Sequence, residues 1–190
     1  MLTWDKDIYQ ASSVLLQGGI ILYPTDTIWG IGCLATDKEA VTKVYELKRR
    51  EDSKSMLVLV ESVNMLRSYV KEIPDIALEL MDNYPKALTL IYPNARKLPE
   101  NLIAEDGSIG IRIVKDLFCT ELIKKVGAPI VATSANLSGD KAPAFFGEID
   151  DQIKTQVDYI VEWRHEEMEK REPSAIINIL SKGDYKIIRS

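Results

Sequence analysis

The stretch Ile20-Ile21-Leu22-Tyr23-Pro24-Thr25-Asp26-Thr27-Ile28-Trp29-Gly30-Ile31-Gly32 passes from a short apolar segment straight into a turn rich in hydroxyl side chains. Residues 20–23 are aliphatic or aromatic throughout and too few for a helix, which predicts a buried strand. Pro24 ends the strand and the two glycines permit positive φ, so Thr25 and Thr27 can be held at the strand's carboxyl end, where open α/β sheets bind ligands. A turn followed by a helix cap is an equally good interpretation.

A second apolar run, residues 56–60, predicts another buried strand. Between the two runs a helix is predicted, with Thr36 or Asp37 as N-cap and apolar residues at helical spacing as far as Leu47, which makes a β-α-β unit. The remaining predicted strands are at residues 88–92, 108–113, 130–133, 159–161, 175–179 and 185–188, and the remaining helices at about 7–17, 63–70, 74–82 and 116–126. Strands that alternate with helices and then arrive in clusters favour an α/β fold with a mixed sheet.

The composition argues for an ordinary globular protein. A chain of 190 residues predicts a single domain over 1–190. The formal net charge of −5 is unfavourable for holding nucleic acid by bulk electrostatics, so any RNA contact would need a local basic patch. Cys33 and Cys119 are far apart and form no CxxC pair, which indicates neither a disulfide framework nor a zinc site. The N-terminus is charged and no apolar run reaches membrane-spanning length, so we expect a cytoplasmic protein without membrane contact.

Two polar groups outside the first turn are candidates for binding an anion. Lys48, Arg49, Arg50 and Lys54 follow the predicted helix, where cations complement the helix dipole in a solvated face. Alternatively, Lys48 and Arg50 point into a cleft and meet phosphate oxygens. The second group, residues 133–139, has four small hydroxyl or amide side chains at a strand's end, suited either to a nucleotide or to an N-cap cluster.

Single charged residues leave further alternatives open. Arg112 interrupts a predicted buried strand, so it meets either a structural carboxylate or an anionic ligand, and we favour the ligand. Residues 162–172 are the most polar stretch and predict a surface loop or an exposed helix that flanks a site. The only histidine, His165, lies in this stretch and is expected to be solvated, which argues against a histidine triad.

Taken in their order along the chain, these motifs resemble those of the YrdC-like family of threonylcarbamoyl-AMP synthases, over roughly residues 8–189. The matching motifs are Pro24-Thr25-Asp26-Thr27, Lys48-x-Arg50, Gly110-Ile111-Arg112, Thr133-Ser134-Ala135-Asn136-x-Ser138-Gly139, Pro173-Ser174 and Arg189. The Lys-x-Arg and Ser-x-Asn combination is the specific part. The resemblance implies a short single-domain form of the family, an α/β fold with a twisted, open mixed sheet flanked by helices, and a concave cationic cleft.

The resemblance also implies an activity and the residues that carry it. Family members convert L-threonine, bicarbonate and ATP to L-threonylcarbamoyl-AMP and pyrophosphate, the first step of N6-threonylcarbamoyladenosine formation in tRNA. The residues implied are Lys48 and Arg50 for catalysis; Lys48, Arg50, Ser108, Ser134, Asn136 and Arg189 for ATP; and Thr25, Arg112 and Ser174 for threonine. Mg²⁺ would be carried by ATP without a dedicated protein site, and downstream proteins would transfer the threonylcarbamoyl group, with a possible tRNA contact.

Some positions depart from the family pattern. Glu51 replaces a common proline, Ser55-Met56 replaces Pro-Leu, Lys86 lies in an altered Trp-Pro-Gly-Pro motif, and Trp29 replaces tyrosine or phenylalanine. These changes keep the proposed polar ligands but alter loop stiffness. Two alternatives remain open: a module of the same fold that binds double-stranded RNA or tRNA, and a related carbamoyl-adenylating enzyme that uses carbamoyl phosphate.

Overall fold

The computed structural model describes residues 4–49, 55–180 and 184–190. The helices in these parts are α1 (Asp5–Leu16), α2 (Lys38–Lys48), α3 (Val63–Tyr69), α4 (Asp75–Asn83), α5 (Leu117–Val126) and α6 (Asp151–Lys154), with a 3₁₀ turn at Phe146–Glu148. The strands are β1 (Ile21–Tyr23), β2 (Gly30–Gly32), β3 (Leu57–Val60), β4 (Leu88–Tyr92), β5 (Ile109–Ile113), β6 (Ile130–Ser134), β7 (Tyr159–Ile160), β8 (Ala175–Ile179) and β9 (Tyr185–Arg189). Every predicted strand is present, whereas β2 and α6 were not predicted.

The strands form one mixed sheet in the order β7-β1-β2-β6-β3-β5-β4-β8-β9. The pairs β1–β7, β3–β5 and β4–β8 are parallel, and the other neighbouring pairs are antiparallel. The predicted α/β class with an open mixed sheet is therefore confirmed.

The predicted β-α-β unit is wrong because β2 intervenes. β1 turns back into β2 as an antiparallel pair, so β1 and β3 run in opposite directions with β2 and β6 between them. Helix α2 instead connects β2 to β3, which are parallel and separated by β6. Of the two proposed caps, Asp37 is the N-cap of α2, since its carboxylate accepts the backbone N–H of Glu39 at 3.0 Å.

The glycines of β2 serve close packing, so the expectation that they adopt positive φ is wrong. Neither Gly30 nor Gly32 is among the described positive-φ residues. The ring of Tyr23 crosses β2 and its hydroxyl donates to Val131 O at 3.0 Å. A Cβ on Gly32 would lie 2.5 Å from that carbonyl oxygen and 2.7 Å from Tyr23 Cε1, so only glycine fits there.

We expect Gly32→Ala to lower the free energy of unfolding by about 1–3 kcal/mol, because the added methyl group overpacks the strand against Tyr23 and Val131. Urea unfolding monitored by circular dichroism measures the change. Gly147→Ala is the matched control, since a Cβ there would meet nothing closer than 3.7 Å. Equal stability of the two variants would contradict the packing argument.

Helices cover both faces of the sheet, but one face only in part. Leu22 and Val58 pack in the core with α2, while Ile21, Tyr23 and Leu59 point to the opposite face and pack with α1 and α5. Further along that second face the sheet lacks a helical cover, and side chains of β3, β4, β5, β8 and β9 line a cavity instead.

The described residues also bear on the two cysteines and on membrane-spanning helices. Cys33 and Cys119 are both buried and free. In the described ranges, no helix is both long enough and apolar enough to cross a membrane.

Candidate functional site

The cavity on the uncovered part of the sheet has a volume of about 330 Å³. Ligand pockets of small molecules have volumes of about 300–1,000 Å³. Six of the predicted site residues line it: Thr25, Ser108, Arg112, Ser134, Ser174 and Arg189. Its described lining contains two guanidinium groups and no carboxylate, so the floor of the concave face is cationic.

The loop between β1 and β2 presents Thr25 at one end of the cavity. Thr25 is buried, and its hydroxyl donates to Ile28 O at 2.8 Å and accepts the Thr27 backbone N–H at 3.0 Å. The Thr27 hydroxyl oxygen lies 2.9 Å from the Thr25 hydroxyl oxygen. These contacts form the turn of the alternative interpretation, although strand β2 and not a helix follows it, and they fix the hydroxyl at the cavity wall.

Arg112 both lines the cavity and has a carboxylate partner. Its side chain is 3% exposed, and Nη1 donates to Asp26 Oδ1. Its Nε is buried without a hydrogen-bond partner among the described residues. The structural carboxylate, which the sequence could not identify, is therefore Asp26, a residue that was not among the predicted site residues. The Nε without a partner is still compatible with an anionic ligand.

Ser174, which directly precedes β8, and Arg189, on β9, lie next to each other. The Ser174 hydroxyl is 2.8 Å from the Thr89 hydroxyl, both being buried, and Arg189 Nε donates to Ser174 O at 2.9 Å. Burial and, secondly, the positive charge of Arg112 lower the pKa of Arg189. Thr89 was missed from the sequence, although a polar residue inside an apolar strand is the same signal that identified Arg112.

Lys48 and Asn136 lie beside the cavity and not in its lining. Lys48 is 1% exposed, so the solvated helix-end interpretation is wrong for this residue. Its Nζ donates to the backbone carbonyls of Ser134 and Asn136, and its own carbonyl accepts the Ser138 N–H at 2.9 Å. The Asn136 amide donates to Leu137 O at 2.7 Å and Asp140 O at 2.8 Å. Lys48 therefore holds the loop after β6, and its phosphate contact stays a prediction.

Several predicted features fall outside the described residues. Arg50, Glu51 and Lys54 lie there, so the structure says nothing of the proposed Arg50 clamp. Of the other departures from the family pattern, Ser55 and Trp29 line the cavity, while Lys86 forms a surface ion pair with Glu172 at 3.4 Å.

The polar stretch 162–172 is a loop that leads into the cavity wall at Pro173 and Ser174, so it flanks the site as predicted. The solvated state expected for His165 is wrong. Its ring stacks on Phe146 with a centroid distance of 3.6 Å, and Nε2 lies 2.6 Å from Val161 O. Trp29 lies 5.0 Å from Phe146, centroid to centroid, and completes an aromatic cluster at the cavity edge.

Cys119 lies under the Thr25 loop, where its Sγ donates to Pro24 O at 3.3 Å. Burial raises the pKa of the thiol well above its ordinary value, and the negative charge of Asp116 adds to this effect. A neutral buried thiol is a poor nucleophile, so covalent catalysis by Cys119 is disfavoured.

Comparisons with known proteins identify the class. The family model described as "Telomere recombination", of Sua5, YciO and YrdC proteins, matches residues 13–190. A threonylcarbamoyl-AMP synthase of Pseudoalteromonas translucida is 31% identical over 161 residues, which are 83% of this chain and 86% of that protein. A putative threonylcarbamoyl-AMP synthase of Methanocaldococcus jannaschii is 36% identical over 166 residues, 87% of this chain and 76% of that protein.

Solved structures agree on the fold. Escherichia coli YciO matches with a TM-score of 0.83 and 26% identity, covering 97% of this chain and 89% of YciO. Pyrococcus abyssi Sua5 complexed with L-threonine matches with a TM-score of 0.85 and 24% identity, and the match covers 97% of this chain but 54% of Sua5. This chain belongs to the Sua5/YciO/YrdC family.

Proposed function

We propose that this chain is an L-threonylcarbamoyladenylate synthase, which joins L-threonine, bicarbonate and ATP and releases pyrophosphate. The product, L-threonylcarbamoyl-AMP, supplies the modifying group of N6-threonylcarbamoyladenosine in tRNA. Two relatives described above are named for this activity, and this chain matches each of them over most of its length.

One observation supports the proposal: the predicted threonine set and half of the predicted ATP set line a single cavity. Thr25, Arg112 and Ser174 line it together with Ser108, Ser134 and Arg189. The first three would hold threonine, with Arg112 opposite the α-carboxylate, and the other three would hold ATP. Such closeness is what a reaction between an amino-acid derivative and a nucleotide requires.

The proposed chemistry requires positioning and charge neutralisation more than a covalent side chain. The amine of threonine first attacks bicarbonate, which gives N-carboxythreonine and water. A carboxylate oxygen of this carbamate then forms a bond to the α-phosphorus of ATP while the bond to the β-phosphate oxygen breaks, so pyrophosphate leaves. The guanidinium groups at the cavity floor would offset the negative charge of both substrates. Mg²⁺, which prefers phosphate and water oxygens, would enter with ATP.

Pyrophosphate release from ATP tests the proposal. We expect release only when threonine and bicarbonate are both present, and an AMP conjugate of matching mass. Glycine should not replace threonine, and serine should do so with a loss of about 1–3 kcal/mol, the value of one methyl-sized difference in a pocket.

Pyrophosphate release that does not depend on the amino acid would refute the proposal. Replacing threonine and bicarbonate with carbamoyl phosphate separates the other carbamoyl-adenylating activity: release under that condition alone would assign that activity instead. RNA binding without any pyrophosphate release would favour the binding module.

A further inference from the structure

Arg164 adopts a conformation that its residue type disfavours. Its φ is 68°, one of four positive values among the described non-glycine residues. The left-handed region brings Cβ close to the backbone, so a residue other than glycine remains there only when surrounding contacts hold it. Although Arg164 belongs to the most polar stretch of the chain, its side chain is only 15% exposed.

The guanidinium of Arg164 joins two separate parts of the fold. Nη1 donates to Asp116 Oδ2 at 2.8 Å and to the backbone carbonyl of Thr25 at 3.3 Å. Asp116 is itself buried, and its other oxygen caps α5 by accepting the Cys119 N–H at 2.9 Å. Asp116, which is fixed at the start of α5, therefore holds the Arg164 guanidinium in its position against the Thr25 carbonyl.

The backbone on the N-terminal side of Arg164 is also anchored. The buried carboxylate of Asp7, on α1, accepts the N–H groups of Glu162 at 3.1 Å and Trp163 at 3.0 Å. The Arg164 guanidinium then lies 3.8 Å from the centre of the Trp163 ring. On its C-terminal side the loop continues to Ser174, so Arg164 ties the segment that ends at Ser174 to the loop that carries Thr25.

We propose that Arg164 is a positioning residue for the amino-acid part of the cavity, an inference that rests on the proposed function. Thr25 and Ser174 are far apart in sequence, and Arg164 links the two segments that deliver them. It makes no described contact with Ser108 or Ser134, which are assigned to ATP. Loss of its guanidinium should therefore affect threonine much more than ATP.

Steady-state kinetics of Arg164→Gln test this selectivity. We expect the KM for threonine to rise about tenfold or more and the KM for ATP to change less than about twofold, since misplacement of a positioning group acts on the substrate it orients. Arg171→Gln is the matched control. Arg171 lies on the same loop and shares Glu167 with Arg164, at 3.3 Å and 3.2 Å, but it has no described contact with Asp116 or Thr25, so both KM values should stay unchanged. An equal rise in both KM values of Arg164→Gln would overturn the proposal.

Arg164→Lys provides a second test in case Arg164→Gln does not fold. It keeps a charge opposite Asp116, but an ammonium group lacks the planar fork that serves Asp116 and Thr25 together. We expect the same selective rise in the KM for threonine, smaller than for Arg164→Gln. A wild-type KM for threonine in Arg164→Lys together with an unchanged one in Arg164→Gln would overturn the positioning role.

Amide hydrogen exchange without substrates separates this inference from the proposed function. The Thr27 N–H, which donates to the Thr25 hydroxyl, should exchange about tenfold faster in Arg164→Gln and at the wild-type rate in Arg171→Gln. Unchanged exchange would overturn the positioning role even in an active enzyme. Absence of threonine-dependent pyrophosphate release by the wild-type protein would overturn the proposed function instead.

Discussion

Replacing Arg112 with methionine is expected to lower threonine affinity by roughly 10²–10³-fold, since truncating one partner of a desolvated charge pair costs about 2–5 kcal/mol. Methionine keeps much of the side-chain volume but removes the guanidinium that faces the cavity. ATP affinity should change little. Calorimetric titration of each ligand into the variant measures both.

Stability should fall in the same variant, because Asp26 loses its cationic partner and keeps, of its described partners, only the Lys115 N–H, at 3.4 Å. The Asp26 side chain is 17% exposed, so water relieves part of the penalty and about 1–3 kcal/mol is expected. The double variant Arg112→Met, Asp26→Asn removes the unpaired charge as well. It should recover stability without recovering threonine affinity, whereas recovery of both would show that Arg112 acts only through Asp26.

Replacing Lys48 with methionine is expected to reduce turnover by roughly 10²–10³-fold, the usual effect of removing one electrostatic contact in a catalytic site. The structure adds a second expectation, a loss of about 1–3 kcal/mol of stability, because the carbonyls of Ser134 and Asn136 lose a buried donor. Pyrophosphate release under saturating substrates and urea unfolding measure the two effects.

Lys43→Met is the control for this experiment. Lys43 lies on the same helix and also donates to a backbone carbonyl, Gly18 O at 3.0 Å, but it is exposed. Its replacement should alter stability by no more than about 0.5 kcal/mol and leave turnover unchanged. Normal turnover in Lys48→Met, with only stability reduced, would limit Lys48 to holding the loop after β6.

Local sequence patterns were sufficient for most elements but not for β2. An apolar run buries itself wherever it pairs, so β3 and β4 could be predicted without knowing their neighbours. Gly30-Ile31-Gly32 has too little apolar surface to predict a strand on its own. It becomes one because it pairs with β1 and β6 on its two sides, where the Tyr23 ring packs over its glycines. The antiparallel pairing of β1 with β2 also invalidates the predicted β-α-β unit.

The candidate site divides in the same way. Small hydroxyls at strand ends and a cation in an apolar strand are local signals, and they were enough to select Thr25, Arg112 and Ser134. Ser108, Ser174 and Arg189, which also line the cavity, were selected only through the resemblance to the family. Which side chain meets which partner was decided by the tertiary structure. Sequence spacing carries no information on contacts between residues as distant as Asp26 and Arg112, Arg164 and Asp116, or Lys48 and Asn136, since these depend on strand order and loop packing.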